Sequence, residues 1–185
     1  RVVAVEDGAV LLADGDAVPA EFAVWAGGFT VPDLARRSAL PVDETGRLRV
    51  DATLRSADGA NVVGVGDAVT VAGQDHIRMS CQAALPLGAH GADTTWALLT
   101  VTDPRTLTLG FAAQCISLGR SSGVVQRTRP DDTPRSLALR GTLGSFGKEA
   151  VVRGTVWMLR RQARGHSYPF PAGPAPASEP IAVRR

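Results

Sequence analysis

The sequence predicts an α/β chain that ends in a small α+β unit, and three observations carry that expectation. The first is a set of short apolar runs separated by Asp-Gly turns over residues 1–29. The second is the almost wholly apolar run Ala60-Asn61-Val62-Val63-Gly64-Val65-Gly66-Asp67-Ala68, which a helical stretch from about Arg78 to Leu99 follows. The third is a return to strand-like runs after Asp103-Pro104, ending in a basic helical segment, Gly147–Arg164. With 185 residues, 44% of them apolar, the chain can bury a core.

Taken in order, strands are expected at Arg1–Glu6, Ala9–Leu12 and, beyond a turn over Asp14-Gly15-Asp16, at Phe22–Trp25 running into Gly27-Gly28. Pro32–Leu40 predicts a short helix with Asp33 near its start and Pro41 just beyond it. Asp43-Glu44-Thr45-Gly46 reads as a turn before the strand Leu48–Val50, and Ala60–Ala68 as a buried central strand. In the helix from Arg78 to Leu99, the small residues Ala83, Ala84, Gly88, Ala89, Gly91 and Ala92 permit close approach to a neighbour, and Pro86 sits in its first turns or kinks it. Thr106–Phe111, Gln114–Leu118 and Val124–Arg127 predict strands, and Pro130–Pro134 a loop. The prolines after Ser167 predict an extended, disordered tail.

Charge divides the chain. Residues 1–119 hold 8 Lys/Arg against 14 Asp/Glu, and residues 120–185 hold 12 against 4. The basic part therefore suits something anionic: a membrane surface, an acidic partner or a phosphate-bearing ligand. Almost all the basic residues are Arg, a bias that a GC-rich bacterial genome also produces. Cys81 and Cys115 have no spacing suited to a dithiol centre or a metal cage, and no apolar run approaches the length that spans a bilayer. His76, His90 and His166 are scattered, and the expected metal set and the expected set of catalytic side chains are both empty.

The chemistry concentrates at Gly66-Asp67. Gly64-Val65-Gly66 looks like the start of a dinucleotide fingerprint, but Val69 stands where its third Gly belongs. An apolar run stopping at Gly-Asp makes another kind of site: Gly lets a ligand approach the backbone, and the carboxylate accepts hydrogen bonds from sugar-like hydroxyls. Alone, the pair is an ordinary turn former. Thr53 ahead of it and the small-residue helix behind it make it more specific.

With those neighbours, Thr53 and Asn61–Ala68 resemble the second flavin motif of the two-dinucleotide-binding-domain flavoproteins. Phe22-Ala23-Val24-Trp25-Ala26-Gly27-Gly28-Phe29 resembles the motif that joins their NAD(P)H domain back to the FAD domain, with Gly27 at the usual Thr. Within that family the chain is most similar to the type II NADH dehydrogenase group. Cys81-Gln82-Ala83-Ala84-Leu85-Pro86 lies over that group's Ala-Gln-x-Ala-x-Gln quinone-site pattern: Gln82 matches, and Cys81 and Pro86 depart from it.

The resemblance implies a partial FAD/NAD(P)-binding Rossmann-like fold with a small α+β carboxyl-terminal domain. Residues 1–29 would end the NAD(P)H-binding domain, 30–102 would close the FAD-binding domain, 103–166 would form a sheet-plus-helix domain, and 167–185 the tail. It implies FAD as cofactor, NAD(P)H as electron donor and a quinone as acceptor. Asp67 would hold the ribityl chain. Ala68 and the helix start at Met79, Ser80, Cys81, Gln82, Ala83 and Ala84 would lie against the flavin, with Gly66, Gly27 and Gly28 allowing close backbone passage. The chain is expected to be the carboxyl-terminal part of a larger protein and inactive by itself. A cytoplasmic location is implied, with peripheral contact of 148–164 on the inner face of the cell membrane; a homodimer is left open, and no nucleic-acid partner is expected. Two rivals stand beside this reading: a soluble NAD(P)H reductase of a ferredoxin-type redox protein, and a non-enzymatic module that binds a membrane or a partner.

Overall fold

In a computed structural model, which describes residues 1–59 and 61–177, the amino-terminal residues form an antiparallel meander of β1 (Val2–Glu6), β2 (Ala9–Leu12) and β3 (Ala17–Pro19). Gly8 and Gly15 turn the chain at φ of +81° and +93°, values that an unbranched backbone reaches without a Cβ clash. The third strand begins directly after the second turn rather than at Phe22–Trp25. Residues 21–32 are irregular and exchange no backbone hydrogen bonds among the described residues, and Phe22, Val24 and Trp25 are exposed. A strand needs a neighbour for its N–H and C=O groups, and none of the described strands lies beside this segment.

The centre is built on a parallel pair, β4 (Leu48–Val50) and β5 (Val69–Val71), with Leu48 opposite Val69 and Val50 opposite Val71. The expected central strand over Ala60–Ala68 is corrected. Ala60 lies outside the described residues; Val63 makes a single antiparallel bridge to Arg55, and Gly66–Ala68 is a turn of 3-10 helix. The regular strand follows Gly66-Asp67 instead of leading to it, because β4 offers its edge to Val69–Val71. Gly64 explains how the preceding run still packs: a Cβ there would fall 2.7 Å from Val69 Cγ1 and 2.8 Å from Leu48 Cδ2.

The predicted helix at Pro32–Leu40 shrinks to one turn, α1 (Leu34–Arg37), whereas the long one is present as α2 (Cys81–Leu99). Ser80 caps α2 from an extended conformation, its Oγ accepting the Ala83 N–H at 3.3 Å. Pro86 stands in the second turn and lacks the N–H that would bond the Gln82 carbonyl. Ala83, Leu87, His90, Gly91 and Thr94 follow helical spacing and are buried. At Gly91 a Cβ would meet Val65 Cγ1 at 2.2 Å, which accounts for the small-residue stripe.

Leu107, Leu109 and Phe111 enter the same core with strand-like alternation, although no regular strand forms at Thr106–Phe111. Buried Gln74 takes the place of a neighbouring strand: its Nε2 donates to Leu107 O at 3.0 Å and its Oε1 accepts from Leu109 N at 3.3 Å. On the other side runs the proline-rich segment, where Gly110 N donates to Pro171 O and Gly173 N to Thr108 O. The expectation of a disordered tail is therefore corrected for residues 167–177, whose Phe170 packs against the core. Proline's missing N–H does not prevent this, since Pro171 acts as an acceptor. Residues 178–185 of that tail lie outside the described residues.

The carboxyl-terminal unit is an antiparallel sheet, β6 (Ala113–Ser117), β7 (Gly123–Thr128) and β8 (Pro134–Arg140), covered by α3 (Gly141–Gln162). The helix starts six residues before the predicted Gly147. Gly144 lets these added turns lie against the sheet, because a Cβ there would lie 2.2 Å from Gly123 O. Among the described residues no helix is long and apolar enough to cross a membrane.

Candidate functional site

Asp67 is tied to the start of α2. One carboxylate oxygen accepts the Ser80 N–H at 2.9 Å, and the residue is otherwise exposed. Gly66 beside it has φ +73° and open space where a Cβ would point. At the helix start, the Ala83 and Ala84 N–H groups are taken by the Ser80 carbonyl at 3.0 and 2.8 Å, and the Ala83 side chain is fully buried. The N–H groups of Cys81 and Gln82 have no protein acceptor among the described residues, leaving two donors and the positive end of the helix dipole facing outward. Ala68 is exposed and Met79 half-buried close by.

Thus Gly66, Asp67, Ala68 and Met79–Ala84 gather at one end of α2. Gly27 and Gly28 do not join them by any hydrogen bond. Trp25 folds back so that its ring would lie 2.5 Å from a Cβ at Gly27, and Gly28 takes φ +123° in the unpaired segment. Thr53 does not touch Asp67 either: its N–H and Oγ1 both donate to Asp51 Oδ1 at 2.7 Å, while its carbonyl accepts Thr94 Oγ1 at 2.8 Å.

A cavity of about 400 Å³ opens beside the same helix start. From α2 it is lined by Cys81, Gln82, Leu85 and Pro86. Phe111 and the middle of α3, including Val151, Trp157 and Met158, form further walls, and Tyr168–Pro171 completes it. The quinone-site pattern over Cys81–Pro86 covers the α2 wall, and the walls from Phe111, α3 and Tyr168–Pro171 had no motif to mark them. In a chain with 5% aromatic residues, the close run of Trp157, Tyr168 and Phe170 is the signal that could have found them.

Burial pushes the Cys115 thiol up, against the pull of Lys148 and Arg78, and it pushes the Tyr168 phenol up as well. Both groups therefore stay protonated near neutrality, and the Tyr168 O–H remains a donor. His76 and His90 serve the core: each ring Nε2 lies against a backbone carbonyl, Leu109 O at 2.7 Å and Arg105 O at 2.9 Å. His166 instead lines a second, cationic concavity with Trp157, Arg160, Arg161 and Arg164 at the end of α3. No group of His, Cys, Asp and Glu suited to a metal ion occurs among the described residues.

No family model and no curated protein matches the chain. Among solved structures it is similar to the sulfide:quinone oxidoreductase of the hyperthermophilic bacterium Aquifex aeolicus, with a TM-score of 0.60 at 16% identity. The match covers 86% of this chain and 40% of that one. The likeness extends over most of the chain described above and is one of fold; this chain spans less than half the length of that protein.

Proposed function

We propose that the chain is part of an FAD-dependent oxidoreductase that passes electrons from NAD(P)H through flavin to a quinone, of the type II NADH dehydrogenase kind. One observation carries the reading: an apolar cavity opens at the helix end to which Asp67 is bonded, so a flavin-contact motif and a quinone-sized space share one place. The structural neighbour is a sulfide:quinone oxidoreductase, which agrees with that acceptor class.

The residues fit the cofactor. The Asp67 carboxylate keeps one oxygen beyond its bond to Ser80 and would accept from ribityl hydroxyls, with Gly66 leaving room for the approach. The free Cys81 and Gln82 N–H groups, at the positive end of α2, would favour negative charge on the pyrimidine edge. Bound flavin supplies the redox chemistry, accepting hydride from a nicotinamide and passing electrons on. The chain's own part is alignment and exclusion of water, which Leu85, Phe111 and Phe170 provide around the cavity.

The test is Asp67→Ala and Asp67→Asn in the intact protein, read by visible flavin absorbance and by NAD(P)H-dependent quinone reduction. Asp67→Ala is expected to be purified without flavin, and Asp67→Asn to retain helicity with weakened flavin binding, since an amide oxygen still accepts the Ser80 N–H. A colourless wild type, or an Asp67→Ala protein that holds stoichiometric flavin, would overturn the reading.

A further inference from the structure

Among the polar side chains that line the cavity, with Thr155 and Tyr168, Gln82 is the one held by a charged group of another segment. Arg78 Nη2 donates to Gln82 Oε1 at 2.5 Å. A guanidinium has donors and no acceptor, so it can be met only by the amide oxygen. Gln82 Nε2 is thereby turned away from Arg78, and it has no protein acceptor among the described residues.

Arg78 is itself held from three directions. It forms an ion pair with Asp132, whose carboxylate also accepts Gln114 Nε2 at 3.1 Å. Its Nη2 reaches Ala113 O at 3.4 Å, and its Cζ stands 4.1 Å over the Phe111 ring, another wall of the cavity. Asp132 sits in the loop between β7 and β8 at φ +66°, so a loop of the carboxyl-terminal sheet reaches, through one arginine, a polar group of the cavity wall.

We infer that Arg78 is a positioning residue that sets the hydrogen-bonding direction of Gln82 in the cavity. By holding the Gln82 oxygen it presents the amide N–H groups to the cavity, which therefore selects a flat apolar ligand offering an acceptor, a quinone carbonyl, over a hydroxylated aromatic ring offering a donor. The inference rests on the quinone reading and adds to it the direction of the hydrogen bond and the residue that enforces it.

The experiment measures binding of a short naphthoquinone and of a naphthol to the intact protein, through quenching of tryptophan fluorescence, Trp157 being in the cavity wall. Wild type is expected to prefer the naphthoquinone. Gln82→Glu keeps a partner for Arg78 and removes the donor, so it weakens the naphthoquinone about tenfold, the loss of one hydrogen bond, and leaves the naphthol unchanged or tighter. Arg78→Met weakens the naphthoquinone in the wild-type background and has no effect on it in a Gln82→Leu background, a coupling that a merely structural role would not produce. Should Arg78→Met fail to fold, Arg78→Gln keeps a donor for Asp132 while its own amide oxygen leaves Gln82 free to turn, and it runs the same cycle.

Equal naphthoquinone affinity in wild type and Gln82→Glu, or an Arg78 effect of the same size in both backgrounds, overturns the inference and leaves the quinone reading standing. A wild type that binds neither ring overturns the quinone reading and the inference with it.

Discussion

α2 and α3 are of similar length, 19 and 22 residues, and both carry apolar side chains at helical spacing, yet they differ in what covers them. α2 buries Leu87 almost completely in one cluster with β4, β5 and the 107–111 segment and Thr94 against the Thr53 carbonyl, and Pro86, His90 and Gly91 are buried too. α3 buries only Gly144 and leaves Leu143, Phe146, Val152, Val156 and Trp157 exposed. Apolar content alone therefore does not distinguish a core helix from a surface one; a facing layer does. The cavity lies where the two meet, one wall anchored in the core and the other on a helix held mainly by its contact with β7.

The sharpest way to break this comparison is Leu87→Ala. It should cost about 2–5 kcal/mol in denaturant unfolding, the usual range for a buried leucine with partial relaxation. Phe146→Ala on α3 should stay within about 0.5 kcal/mol, because its side chain is already in solvent. Equal losses at the two sites would mean that α3 is covered by something the described residues do not show.

Next in size is Gln74→Leu, which removes both side-chain hydrogen bonds to the 107–109 backbone and leaves the Leu107 carbonyl and Leu109 N–H buried without partners. A loss of about 1–3 kcal/mol is expected, with faster hydrogen exchange at the Leu109 amide as its local signature. Ser80→Ala should follow at about 1 kcal/mol through loss of the α2 cap. Thr155→Ala on α3 should be near neutral, since the Thr155 hydroxyl only bonds back to the Val151 carbonyl of its own helix.

A small, pH-dependent effect is expected at Asp43, in the turn before β4. Burial pushes its carboxyl up, but hydrogen bonds from Thr45 and Arg47, together with the Arg47 charge, outweigh that and hold it below the ordinary carboxylate range. A depressed folded-state value means that the contribution is present above the unfolded-state carboxylate pKa and is lost as pH falls through the folded one. Asp43→Asn should accordingly lower stability slightly at neutral pH and flatten its decline in acid, which thermal melts across that range would read.

Several elements were legible from the chain because their causes are local. The turns at Asp14-Gly15 and Asp43–Gly46 formed where expected, and α2 began within three residues of Arg78 because Ser80 offers a cap. β8 escaped notice: Pro134–Arg140 is mostly exposed and has no clean alternation, and it pairs because β7 presents an edge. At the candidate site, Gly66, Asp67 and the α2 start were found as a sequence motif. The Arg78–Asp132 pair was not, since 54 positions separate its members and no pattern links them.

Amino-acid order by itself determined where the backbone turns, where a helix can start and which face of α2 is apolar, since these depend on φ freedom, capping groups and side-chain spacing within a few residues. Tertiary structure decided which extended segments became strands, placing Val69–Val71 rather than Phe22–Trp25 against a neighbour, and it brought Tyr168–Pro171 from an expected tail to the wall of a cavity. The reason is that a strand and a cavity wall are properties of two or more distant segments at once, and the hydrogen bonds and apolar contacts that select them exist only after the chain has folded.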